Sequence, residues 1–334
     1  MRQTFASLAL VALVALAAPA TYAGDCDGTP GWHLHAPSEI AIGSTVEVCL
    51  YGPANEMALL MVSGGTSVLP SRYGNICVEF PLIGEFMVTL DASGEYCFEA
   101  EIDCDPSLVG LTVYSQFITC RPNKGVSNLV ETTIVDGLCG GDLCTFTQGG
   151  WGTNCSGGNP GCRRDTYFDS VFPHGLTIGD ADGIDGDGEF ALHFSDSAAV
   201  AAFLPAGGKA GALNGDAHDP LGSSAGVFAG QLLAAKLNLA FDDAGALDDC
   251  KGRTELDLGD LVFVAGVDAD LLGWSVREVI DLADQAISGA LGSSIDLDGD
   301  GKADVTMGDL SDALDALNNN FDNGTSNLGY LGIE

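Results

Sequence analysis

Carboxylates at alternate positions carry the clearest chemistry in this chain. Residues 296–309 read DLDGDGKADVTMGD, which puts Asp296, Asp298 and Asp300 at positions 1, 3 and 5 of a twelve-residue cation loop. Gly301 falls at position 6, where such a loop must turn sharply. Lys302 offers a backbone carbonyl at position 7, and Asp304 a carboxylate at position 9. A hard cation such as calcium takes six to eight oxygens at about 2.3–2.6 Å, and this spacing folds oxygens around one point. Position 12 departs from the pattern: Met307 stands where a bidentate acid belongs, and the next carboxylate is Asp309. The expectation is a weak calcium site, with Kd on the order of 10⁻⁴ M. Asp309 serves either as a ligand through water or as a cap of the helix that follows. The competing reading is a plain connecting loop whose aspartates cap and solubilise.

A second acidic run, DADGIDGDGE, holds Asp180, Asp182, Asp185, Asp187 and Glu189 between two strand candidates. Its glycines let the backbone bend so that carboxylates can converge on a second, weaker calcium site, or it is a solvated turn. Asp242, Asp243, Asp248 and Asp249 form a third cluster, read as an ordinary loop. His33 and His35 alternate and so face one side of a strand, but a transition metal needs further ligands.

Hydrolase chemistry finds little support. Gly222, Ser224 and Gly226 fit G-x-S-x-G, but the preceding NGDAHDPLGS is no strand, and every histidine lies before Ser224. Gly207, Gly208 and Lys209 lack phosphate-loop spacing. Of the three tryptophans, Trp151 in TQGGWG is the first candidate for a sugar-stacking platform; the alternative is a core tryptophan beside a disulfide-rich loop.

The N-terminus reads as a secretory signal over residues 1–23, with Arg2 before an apolar stretch and Ala23 before the expected cut. Asp25 argues against lipidation of Cys26, and no later stretch is apolar enough to span a bilayer. An exported chain with 11 cysteines points to disulfides, and the odd number leaves one thiol free or paired between chains. The middle group, Cys139, Cys144, Cys155 and Cys162, contains no CxxC, so bridges are favoured there over zinc. The net charge of −35 repels nucleic acid and anionic membranes and attracts divalent cations. Hydrophobic residues make up 46% of the chain, enough to offset chain entropy and argue against disorder.

Those loops need elements to hold them. Residues 24–136 read as β: STVEVCLY, ALLMVS, ICVEF, FMVTLD, YCFEAEI and LTVYSQFI are short and rich in β-branched and aromatic residues, with turn residues between them. A Cys- and Gly-rich segment, 137–161, marks a boundary. Residues 143–331 mix the two types. CTFTQ, EFALHF and LDLGDLVFVAG read as strands, while DSAAVAAFL, SAGVFAGQLLAAKLNL and SVREVIDLADQAI read as helices. Ser275 and Glu278 have capping-box spacing, and Leu310, Leu314 and Leu317 repeat at core spacing in a last helix opened by Thr306. The fold class expected is therefore multidomain, an all-β sandwich followed by an α+β domain.

Three resemblances extend this reading. IAIGSTVEVCLYGP, DASGEYCFEAEI and DPSLVGLTVYSQ resemble an immunoglobulin-like β-sandwich module of large secreted bacterial proteins. TFTQGGWG, FPHGLTIGD, AAVAAFLPAGGKAGAL and LSDALDALNNNFDNG resemble an α+β domain of exported bacterial proteins that has no assigned activity. The Asp296 loop resembles half of a dockerin, an EF-hand-like calcium module that carries two such loops; one is visible here. Together these imply an exported, calcium-binding structural or adhesive protein at the cell surface or in a matrix. Its expected partners are divalent cations and a surface polysaccharide or protein. The rival expectation is a secreted carbohydrate-binding protein or polysaccharide-acting enzyme with an accessory sandwich.

Overall fold

A computed structural model describes residues 26–120, 122–179, 189–292 and 294–333. The described residues are β-rich with six α-helices, and the chain divides into two compact units, Met1–Leu138 and Cys139–Glu334. The expected signal lies outside the described residues. Among those residues no helix is long and apolar enough to cross a membrane.

Among the described residues, the regular structure of the first unit is strand but for one 3₁₀ turn. Its strands are β1 (His33–His35), β2 (Glu39–Ala41), β3 (Thr45–Tyr51), β4 (Met57–Ser63), β5 (Thr66–Ser71), β6 (Gly74–Val78), β7 (Gly84–Thr89), β8 (Glu95–Glu101), β9 (Thr112–Thr119), β10 (Gly125–Val126) and β11 (Val130–Val135). One sheet runs β1-β3-β8. A larger one runs β2-β11-β9-β4-β7, with β10 on β9, and β5 and β6 form a hairpin. The period-two pattern explains the layering. In β1, Leu34 is buried while His33 and His35 face out, and in β3 Val46 and Leu50 point inward. Leu34 and Leu50 meet Ala58, Leu60 and Phe117 from the larger sheet in one apolar core. Asp105, in the expected corner DPSLVG, accepts from the Ser107 amide and caps the turn Pro106–Leu108.

The second unit is built around helices: α1 (Gln148–Trp151), α2 (Pro160–Val171), α3 (Ser197–Phe203), α4 (Val227–Asp243), α5 (Val276–Ser288) and α6 (Met307–Asn320). Short strands connect them: β12 (Leu176–Gly179), β13 (Ala191–Phe194), β14 (Ala217–His218), β15 (Val262–Phe263), β16 (Ser294–Ile295), β17 (Val305–Thr306) and β18 (Leu331–Gly332). From Phe228 to Leu233 every residue of α4 is buried, as a helix apolar on all sides must be. It packs against α5 and α6, whose N-termini carry complete capping boxes at Ser275/Glu278 and Thr306/Asp309.

Two strand expectations give way. CTFTQ forms only an isolated bridge, Thr145 with Asp322, before α1 begins at Gln148. There Thr147 accepts from the Gly150 amide, so a helix cap outweighs the β propensity of Thr and Phe. LDLGDLVFVAG yields a 3₁₀ turn, Leu258–Asp260, and the two-residue β15, because Asp257 caps the turn and carries Gly259 out of extended backbone.

Ten cysteines are disulfide-bonded and Cys120 is the free one, exposed at the end of β9. The bridges include Cys26–Cys77, Cys49–Cys97, Cys144–Cys250 and Cys155–Cys162. Cys144–Cys250 closes a 106-residue loop, the class of crosslink that constrains an unfolded chain most, by about 4–5 kcal/mol in the chain-entropy account.

Candidate metal centre

The Asp296 loop is clamped before it is shaped. Strands β16 and β17 pair antiparallel, Ile295 opposite Val305, and the Asp304 amide donates to the Ile295 carbonyl at 2.8 Å. Ile295 and Val305 are buried, so both ends of the loop are fixed in the core while its tip meets solvent.

Within the clamp, aspartates organise the backbone. Asp296 accepts the amides of Gly299 and Gly301, both at 2.7 Å, through its two oxygens. Asp298 accepts from Asp300 N at 2.9 Å, and Asp304 Oδ2 accepts from Leu297 N at 2.6 Å. Gly299 and Gly301 take φ of 78° and 86°, the left-handed region that glycine enters without steric cost. The Gly301 amide, then that of Gly299, holds the Asp296 carboxyl below the usual carboxylate range.

Carboxylate oxygens of Asp296, Asp298 and Asp304 lie within 4.8 Å of one another. Asp300 points to Lys302 instead: its Oδ2 accepts from the ammonium at 2.7 Å, and that contact lowers its pKa. Asp309 accepts both the amide and the hydroxyl of Thr306, at 2.8 and 2.7 Å, and so caps α6. Met307 is buried at the start of α6 and packs in the core. The converged set is thus three exposed or half-exposed carboxylates, all oxygen, a donor set suited to a hard cation and unsuited to a soft one.

The other acidic clusters differ. Asp180, Asp182, Asp185 and Asp187 lie outside the described residues. Glu189, at the end of that run, accepts from the Ser288 hydroxyl at 3.3 Å. The third cluster is not a plain loop. Asp242 meets the buried Lys251 ammonium at 2.8 Å, Asp243 meets Arg277 at 2.7 Å, Asp248 reaches Lys251 at 3.5 Å, and Asp249 pairs with Arg163. In so acidic a chain, three of the few bases are spent on this corner.

Trp151 cannot stack on a sugar. It is fully buried, edge-on to Phe146 and Phe241, and its indole N–H donates to Asn238 Oδ1 at 3.0 Å. Ser224 donates to the Ala212 carbonyl; the stretch NGDAHDPLGS, expected to hold no strand, does contain the two-residue β14 beside β13, but that strand ends at His218 and does not lead directly into Ser224. His33 and His35 face out together, His33 stacking on Tyr51.

Residues that sequence reading passed over are the buried amides. Asn238 Oδ1 also accepts from Phe146 N, and its Nδ2 donates to Phe146 O and Asn318 Oδ1, each at 2.9 Å. Asn318 in turn donates to Gln231 Oε1 at 2.8 Å. The available signal was an amide inside an otherwise apolar helix face, as in AAKLNLAF.

No protein-family model and no curated protein sequence matches the chain. Similar solved structures include a superoxide reductase (neelaredoxin) from Ignicoccus hospitalis, 11% identical over 32% of this chain and 82% of that chain, with a TM-score of 0.19. Another is the CARDB domain of a Pyrococcus furiosus protein in complex with di-metal ions, 12% identical over 33% of this chain and 88% of that one, TM-score 0.19. A third is a beta-glucosidase from Listeria innocua, 13% identical over 31% of this chain and 16% of that one, TM-score 0.17. Likeness at this level carries no argument about activity.

Proposed function

We propose that the protein is an exported, non-catalytic structural or adhesive component whose second unit is steadied by calcium. Its first unit, on this reading, is an immunoglobulin-like sandwich displayed outside the cell. The observation that carries the reading is the convergence of Asp296, Asp298 and Asp304 on a loop whose ends are fixed in the core. Bridged cysteines fit an oxidising compartment. The burial of Trp151 removes the sugar-stacking feature, and β14 ends at His218 without running into Ser224, so the strand-to-helix elbow a hydrolase needs is not formed there.

The ion would be held by those three carboxylates, with the Lys302 carbonyl and water available for the remaining oxygens. It would neutralise their mutual repulsion and so stabilise the folded loop by mass action. The loop lacks a bidentate acid at its end, so affinity in the extracellular range is expected, with Kd on the order of 10⁻⁴–10⁻³ M. Isothermal titration of calcium into the wild type and an Asp296→Ala/Asp298→Ala variant tests this. Saturable heat in the first and none in the second is expected; equal heats would remove the site.

A further inference from the structure

Strands β12, β13 and β14 form a small sheet in which Thr177 pairs with His193, and His193 with His218. Paired residues share a face, so the hydroxyl and the two imidazoles stand in one row across the three strands. Leu192 and Phe194, on the opposite face of β13, are buried. His193 is half-buried and the His218 side chain is 66% exposed, so the row is open to solvent.

Each ring is held from one side. With the proton on Nδ1, His193 donates to Thr177 Oγ1 at 3.1 Å and His218 to Asp219 Oδ2 at 3.0 Å. Asp219 is itself fixed. Its amide donates to the His193 carbonyl at 2.8 Å, and its carboxylate accepts from the Ser195 amide at 2.7 Å and hydroxyl at 2.8 Å. It takes φ of 49°, a left-handed conformation that is costly for a residue with a β-carbon and that clusters at functional sites. Neither Nε2 has a hydrogen-bond partner among the described residues, so each presents a lone pair. A β-carbon at position 175 would stand 2.7 Å from His193 Nε2, and Gly175 leaves that space clear. An oxygen on one imidazole nitrogen with the other nitrogen free is how proteins aim histidine at a metal.

The spacing fits a single ion. At a metal–nitrogen bond of about 2.0–2.1 Å, a coordinated imidazole has its centroid about 3.2 Å from the metal. Two such rings at about 90–110° to each other have centroids about 4.5–5.2 Å apart. The centroids of His193 and His218 are 4.8 Å apart, with the ring planes tilted by 40°.

We propose that His193 and His218 form a binding site for a borderline transition-metal ion, zinc or copper(II). Asp219 and Thr177 are positioning residues, and water fills the remaining places around the ion. Imidazole suits these metals and not calcium, so the site is chemically separate from the Asp296 loop. A bound ion would crosslink the two-residue β14 to β13 and pin the connection between α3 and α4 to the sheet.

The test is isothermal titration of zinc into the full chain carrying Cys120→Ser, which removes the free thiol, with calcium in excess to fill any all-oxygen site. One saturable zinc site is expected. His218→Gln, at an exposed position, and His193→Gln should each abolish it, with circular dichroism verifying the fold. Asp219→Asn should weaken it about tenfold. His33→Gln/His35→Gln should change nothing. Copper(II) should bind more tightly than zinc. Its electron paramagnetic resonance spectrum should show two coupled imidazole nitrogens, still two in Asp219→Asn but one in His218→Gln. Zinc binding that survives both single histidine substitutions, that is lost instead in His33→Gln/His35→Gln, or that is absent at millimolar zinc would overturn the proposal.

Discussion

Calcium should raise the melting temperature of the second unit, and two aspartates near the same loop should answer differently when removed. With Kd of about 10⁻⁴ M, calcium at about 10 mM is roughly a hundredfold above Kd and stabilises by about 2.7 kcal/mol. For domains of about 150–250 residues each kcal/mol moves Tm by about 2–4 °C, so the rise is about 5–11 °C. Asp298 is exposed and its side chain accepts from the Asp300 amide, so Asp298→Ala should change the calcium-free Tm little while abolishing most of the rise. Asp309 caps α6 through Thr306, so Asp309→Ala should cost about 1 kcal/mol with or without calcium and leave the rise intact. Differential scanning calorimetry in chelator and in calcium reads both effects, with magnesium at equal concentration expected to do less because it demands stricter octahedral geometry. If Asp298→Ala kept the full rise, or Asp309→Ala abolished it, the assignment of these two carboxylates would be refuted.

Other perturbations separate packing from polar satisfaction. Asn238→Leu keeps volume but strands Phe146 N and O, Trp151 Nε1 and Asn318 Oδ1, all buried; a loss of about 3 kcal/mol or more in denaturant unfolding is expected, and a loss below about 1 kcal/mol would discredit the network. Lys251→Met leaves the Asp242 carboxylate buried without its ammonium and should cost about 3–5 kcal/mol, measured the same way. Native, unreduced protein should take up a single thiol reagent, at Cys120, as peptide mapping would reveal. The Ser275 amide, then its hydroxyl, holds the Glu278 carboxyl below the usual range. A carboxyl depressed on folding gives stability that is full above its unfolded pKa and fades as pH falls through its folded one. Glu278→Gln should therefore flatten the acid side of the pH–stability curve, and an unchanged curve would count against the cap.

How much was written in the chain depends on range. Segments such as STVEVCLY and LTVYSQFI were legible as strands because alternation and β-branching act within a few residues, and β3 and β9 fall on them. The same holds for the capping boxes at Ser275 and Thr306 and for the glycines of the Asp296 loop, whose φ values are local needs. What required the tertiary structure was anything joining distant positions. Sequence could not pair Cys144 with Cys250, turn Trp151 inward onto Asn238, or assign Asp242 and Asp249 to particular cations. Nor could spacing separate Asp298 from Asp300: both occupy ligand positions, and only the folded loop turns one toward Asp296 and Asp304 and the other toward Lys302. Local sequence fixes backbone conformation because dihedral preferences and caps are short-range; which side chains meet is decided by packing the whole chain at once.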